Sequence, residues 1–97
     1  MSDYNGKLRE LGARLRSERI RRQDTQAMFA ARIGVSIPTL RKMESGDSTV
    51  QIGNWAAALD IFDRLDDIDA LLSAPEDLFA KFEQQHAPQR RRVRNRT

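Results

Sequence analysis

Residues 25–46 read TQAMFAARIGVSIPTLRKMESG, and the punctuation inside this stretch sets the architecture. Thr25 is a helix-start residue, and Phe29, Ala30 and Ile33 follow at spacings of three and four that bring them to one helical face. Gly34 ends that helix. Ser36 then reads as the N-cap of a second helix, its hydroxyl accepting a hydrogen bond from a free N–H of the first turn. Pro38 falls within that turn, where its missing N–H costs nothing. In the second helix Leu40 and Met43 point inward, Ile37, Pro38, Arg41 and Lys42 share the opposite face, and Gly46 is the stop. The expectation is two short helices joined by a tight turn. A second helix whose outward face is part apolar and part cationic suits the major groove of DNA.

These positions carry a resemblance. Gln26, Ala30, Gly34, Val35, Ser36, Leu40, Met43, Glu44 and Gly46 stand where Xre/Cro-type helix-turn-helix repressors have their signature. The resemblance covers roughly residues 8–72. Any αα-hairpin has a capping serine, a glycine and apolar pairs, but that does not account for Gln26, Arg41 and Lys42 lying to one side. The resemblance implies an all-α, five-helix, lambda-repressor-like domain. It also implies an ion pair between Arg19 and Glu44 that ties the first helix to the end of the second helix of the motif. The alternative, an exposed Arg and an exposed Glu, stays open at the level of sequence.

Charge is distributed unevenly along the 97 residues. Residues 1–48 hold ten Lys/Arg against six Asp/Glu, residues 49–86 two against eight, and residues 87–97 five Arg and no acid. A basic half containing the motif is what a phosphate backbone selects, whereas the acidic half is expected to face solvent or a protein. One small domain with a modest core is the expectation at this length. With no cysteine there is neither a disulfide framework nor a thiolate metal site. No apolar run approaches a membrane span, and the first five residues begin no signal peptide. The expected location is the bacterial cytoplasm, associated with the nucleoid.

Residues 1–6 are polar and are expected to fray, with a long first helix over 7–22 carrying Leu8, Leu11, Leu15 and Arg19 on one stripe and Ile20 beside it. Arg14, Arg16, Arg21 and Arg22 read as a solvated face. The connector of Arg22, Gln23 and Asp24 lacks the glycine that the resembled family often has there. A fourth helix over 52–62 shows a stripe of Ile52, Trp55, Ala56 and Leu59, with Trp55 as a core anchor rather than a base-stacking platform. A fifth over 65–73 has Leu65, Ile68, Leu71 and Leu72 apolar and Asp66, Asp67 and Asp69 early, where they favour the helix dipole. With Asp60 and Asp63 these aspartates lack the spacing of a calcium loop, so no metal is expected.

Three segments follow: a helix-turn-helix domain over 1–73, a short helix within 74–86, and a disordered basic tail over 87–97. The short helix carries Leu78, Phe79 and Phe82, which either pack back on the first and fifth helices or join two subunits. The tail holds Arg90, Arg91, Arg92, Arg94 and Arg96, and phosphate grip, partner docking and no role all stand as readings of it.

His86 is the only histidine and has no acid or nucleophile partner in sight, so no catalytic residue and no cofactor is expected. The expected DNA-facing set is Gln26, Ser36, Ile37, Pro38, Thr39, Arg41 and Lys42. Gln26 and the start of its helix grip a phosphate, Thr39 adds one, and Ile37, Pro38, Arg41 and Lys42 face base edges. A module this small implies a homodimer on two half-sites of double-stranded DNA. A narrower resemblance lies in GDSTVQIGNWAAALDIFDRLDDIDALL followed by a proline and RRRVR, which is similar to antitoxins of HipB type. That resemblance implies a HipA-type kinase toxin as partner and repression of the chain's own operon. A stand-alone regulator, or a chain whose main task is to neutralise a toxin by binding it, are the alternatives.

Overall fold

The computed structural model describes residues 3–75 and Glu83. Among these it is all-α, with no strand: α1 spans Tyr4–Arg21, α2 Gln26–Ile33, α3 Ile37–Ser45 and α4 Ile52–Ile61, followed by a 3₁₀ helix at Leu65–Ala70. The chain forms two compact units, residues 1–65 and 66–97. The expected short helix with Leu78, Phe79 and Phe82, and the tail from Arg90 to Arg96, lie outside the described residues.

α1 begins at Tyr4, earlier than position 7, because Asp3 caps it: the Asp3 carboxylate accepts from the Gly6 N–H at 2.9 Å. Its buried positions are Gly12, Leu15 and Arg19, spaced three and four apart, while Leu8 and Leu11 are half-buried and Ile20 is exposed. This stripe meets α3. A Cβ at Gly12 would lie 2.5 Å from the Glu44 carbonyl oxygen and 2.6 Å from that of Met43. Gly12 therefore lets the two backbones approach more closely than any other residue would allow. At the far end of α3, Gly46 holds φ +79° and a Cβ there would meet the Leu8 carbonyl oxygen at 2.5 Å, so both its conformation and its neighbours exclude a side chain.

The core of the first unit is Leu15, Phe29, Ala30, Ile33, Leu40, Met43, Ala58 and Phe62, with Val35, Ile37, Val50, Trp55 and Ala57 packed against it. Phe29 and Phe62 stack with ring centroids 5.2 Å apart. That stacking sets the rotation of α4. Its deep contacts come from Ala58 and the C-capping Phe62, with Trp55 half-buried, whereas Ile52 of the expected stripe is exposed. Arg22 covers this corner from outside, its guanidinium 4.7 Å from the Phe62 ring centroid and its Nη2 donating to the Phe62 carbonyl at 3.3 Å.

The segment expected as a fifth α-helix over 65–73 is instead 3₁₀ over Leu65–Ala70, and Leu71 and Leu72 are exposed. Leu65, Ile68 and Leu71 recur every three residues, a period that eclipses on a 3₁₀ helix and fits an α-helix equally in sequence. Three aspartates in so short a run lower the helical preference that would have extended it. The Leu71 N–H closes on the Ile68 carbonyl, three residues back, and Leu72 turns to φ +62°.

Candidate nucleic-acid interface

The α2–turn–α3 segment is built by a side-chain cap at the start of each helix. The Thr25 hydroxyl accepts from the Met28 N–H at 3.0 Å, and the Ser36 hydroxyl from the Thr39 N–H at 3.2 Å. Both helices end at a left-handed glycine, Gly34 and Gly46, with a further bond from the residue beyond: Val35 N–H to the Ala30 carbonyl and Asp47 N–H to the Lys42 carbonyl. The angle between the helices is thus written in local chemistry, and the shared core of Phe29, Ile33, Leu40 and Met43 fixes it.

α3 presents two unlike sides. Leu40, Met43 and Glu44 are buried; Pro38, Arg41, Lys42 and Ser45 are exposed. Ile37 lies between, half-buried and packed against the core, so only part of its side chain reaches the outward surface. Thr39 is also half-buried and its hydroxyl accepts from that of Ser36 at 3.0 Å.

Behind this helix is a polar lock. Arg19 Nε donates to Glu44 Oε2 at 2.6 Å and Nη2 to Oε1 at 3.1 Å, with both residues buried. The pair that the resemblance implied is therefore a bidentate, desolvated contact. Arg19 Nη1 donates in addition to the Asp24 carbonyl at 2.8 Å, which anchors the α1–α2 connector. In that connector Gln23 holds φ +61°, the left-handed conformation that a glycine would take more easily. The Asp24 carboxylate is buried and pairs with Arg32 at 3.3 Å.

Gln26 is placed otherwise than a simple surface amide. Its Nε2 donates to Glu44 Oε1 at 3.1 Å, and its Oε1 accepts from Arg41 Nε at 3.4 Å. Neither spacing is visible in the sequence. Gly12 and Phe62 were likewise missed as organising residues. A lone glycine inside a leucine-bearing helix was the available signal for the first, and the seven-residue step from Trp55 for the second.

Electrostatics at the edges is local. Hydrogen bonds from Arg21, then Arg22, hold the Glu18 carboxyl at about 2, well below its ordinary 4.5. The Asp47 carboxyl is held low first by the Thr49 hydroxyl, then by the Thr49 N–H, with the Lys42 charge a smaller contributor. Lys42 thus works beside an acid. Among the described residues no group of three or more His, Cys, Asp or Glu could hold a metal ion, and no helix is long and apolar enough to cross a membrane.

The family model described as a helix-turn-helix domain matches residues 10–81 of the chain. Comparison with curated proteins and with solved structures found no match.

Proposed function

The chain belongs to the helix-turn-helix domain family, and on that premise we propose that it is a sequence-specific DNA-binding repressor that acts as a homodimer. The observation that carries this reading is the division of α3. One side is fixed by Leu40, Met43 and the Arg19–Glu44 pair, and the other offers Pro38, Arg41, Lys42 and the edge of Ile37 to a groove wide enough for a helix. Arg41 or Lys42 reads guanine acceptors, Ile37 meets thymine methyls, and Gln26 with the Ser36–Thr39 cap meets the backbone. No catalytic role is assigned to any residue.

Selection of the full-length chain on a randomised duplex library tests the reading. The expected product is a pair of inverted half-sites about one helical turn apart. Enrichment of no sequence at all, at any salt concentration, would refute it.

Within this reading we assign the chain the part of an antitoxin, bound by a HipA-type kinase toxin and repressing their shared operon in the bacterial cytoplasm. What supports this is the resemblance of residues 46–72 and of the arginine-rich ending to HipB-type antitoxins. Leu78, Phe79 and Phe82 then serve the dimer or the partner, and the tail arginines grip phosphate or dock on the toxin. Purification of the native operon's products together is the check: a kinase-sized companion is expected, and a chain that elutes alone would leave a stand-alone regulator.

A further inference from the structure

A file of polar contacts leads from the buried ion pair to the outward side of α3. Arg19 holds both oxygens of Glu44, the Gln26 amide nitrogen donates to Glu44 Oε1 at 3.1 Å, and the Gln26 oxygen accepts from Arg41 Nε at 3.4 Å. The order of these contacts fixes their sense. A carboxylate only accepts, so Glu44 turns the NH₂ of Gln26 toward itself and thereby aims the amide oxygen away from it, at Arg41. Gln26 is half-buried and Arg41 exposed, and among the described residues the Gln26 oxygen is the side-chain partner of Arg41.

We propose that Gln26 is a positioning residue for base recognition, orienting the Arg41 guanidinium and taking its own orientation from the buried Arg19–Glu44 pair. The inference rests on the DNA-binding reading above. An arginine with no tether must be ordered when it meets a base, whereas one held at Nε is ordered beforehand. With Nε engaged by Gln26, the Nη1 and Nη2 groups remain as a parallel pair of donors at the tip. That end-on fork matches the O6 and N7 acceptors of one guanine. Gln26 then contributes to which sequence is chosen, in addition to any grip on phosphate.

The test uses the full-length chain, its Gln26→Met and Arg41→Ala variants and the double variant. Glu44 keeps both bonds from Arg19 when Gln26 is lost, so Gln26→Met is expected to stay folded, and its melting curve checks that directly. On a randomised duplex library Gln26→Met should lose about tenfold in preference at the base that Arg41 reads, and should cause no further loss of preference when Arg41 is already alanine. In the wild-type chain without DNA, the Arg41 Nε–H should exchange with solvent more slowly than those of Arg14 and Arg16, a readout that needs no variant to fold. A Gln26→Met chain that selects the same bases with the same preference and only binds all of them more weakly would overturn the proposal while leaving the DNA-binding reading intact. Equal exchange of all three Nε–H groups would also overturn it. A wild-type chain that selects no sequence would defeat the DNA-binding reading itself, and the role given to Arg41 with it.

Discussion

The inner and outer sides of α3 belong to one helix of nine residues and are made of opposite materials. The inner side is a seam without slack: Gly12 lies against the carbonyls of Met43 and Glu44, Gly46 lies against the backbone of α1, and a bidentate ion pair closes the middle. The outer side is Pro38, Arg41 and Lys42 in solvent, with one tether. The difference separates two kinds of consequence. A change on the inner side is felt as stability, because nothing there can relax into water. A change on the outer side is felt only when something binds.

The largest expected effect comes from breaking the seam at its charge. Glu44→Ala strands the buried Arg19 guanidinium and should lower the unfolding free energy by about 3–5 kcal/mol, read from chemical denaturation. A loss below about 1 kcal/mol would mean that Arg19 escapes to solvent and that the pair is not desolvated in solution.

Steric closeness comes next, and it carries a built-in control. Alanine is intrinsically better than glycine in a helix by roughly 0.5–1 kcal/mol. Gly53 in α4 has nothing within 4 Å of where a Cβ would go, so Gly53→Ala should gain part of that amount. Gly12→Ala should lose about 1–3 kcal/mol, because α1 and α3 must part to admit the methyl. Two melts of the same sign would show that the seam is looser than its distances imply.

The outer side should behave in the reverse manner. Arg41→Ala or Lys42→Ala is expected to weaken specific DNA binding by about 1–3 kcal/mol while stability changes by less than about 0.5 kcal/mol. Titration of a selected duplex alongside a melting curve separates the two quantities, and comparable losses in both would erase the distinction between the sides.

The smallest effect is a matter of pH. The Glu18 carboxyl is lowered to about 2 by Arg21 first and Arg22 second. A depressed carboxyl adds stability above its unfolded value, near 4.5, and that addition disappears as the pH falls toward 2. Following the Glu18 carboxyl carbon by NMR should therefore show a midpoint near 2, moving upward in Arg21→Ala and by less in Arg22→Ala.

What could be read in advance follows the same division between local and distant causes. The caps Thr25 and Ser36 and the stops Gly34 and Gly46 are legible because each acts within a few residues of itself. Asp3 was overlooked as a cap only because the polar start read as frayed. The rotation of α4 depends on where Phe29 sits, and the demand for glycine at position 12 depends on carbonyls more than thirty positions away, so periodicity within either helix is silent about both. The Arg19–Glu44 pair came from the resemblance, and Gln26 was legible as a site residue but not as the partner of Glu44 and Arg41. The absence of a glycine from the α1–α2 connector left its geometry open in the sequence, and it is Gln23 that takes the left-handed turn.

The seam between α1 and α3 also bears on how the chain is made. α1 finds its main partner in α3, and α2 packs on α3 and α4. A nascent chain therefore emerges with α1, the longest of the described helices, ahead of the surface it is to cover. That surface does not exist until Gly46 has left the ribosome and can settle against Leu8. Until then Leu8, Leu11 and Leu15 form an uncovered stripe, open to chaperones and proteases. Synthesis that stalls in the turn after α2 would release a fragment whose α1 stripe has no α3 to cover it.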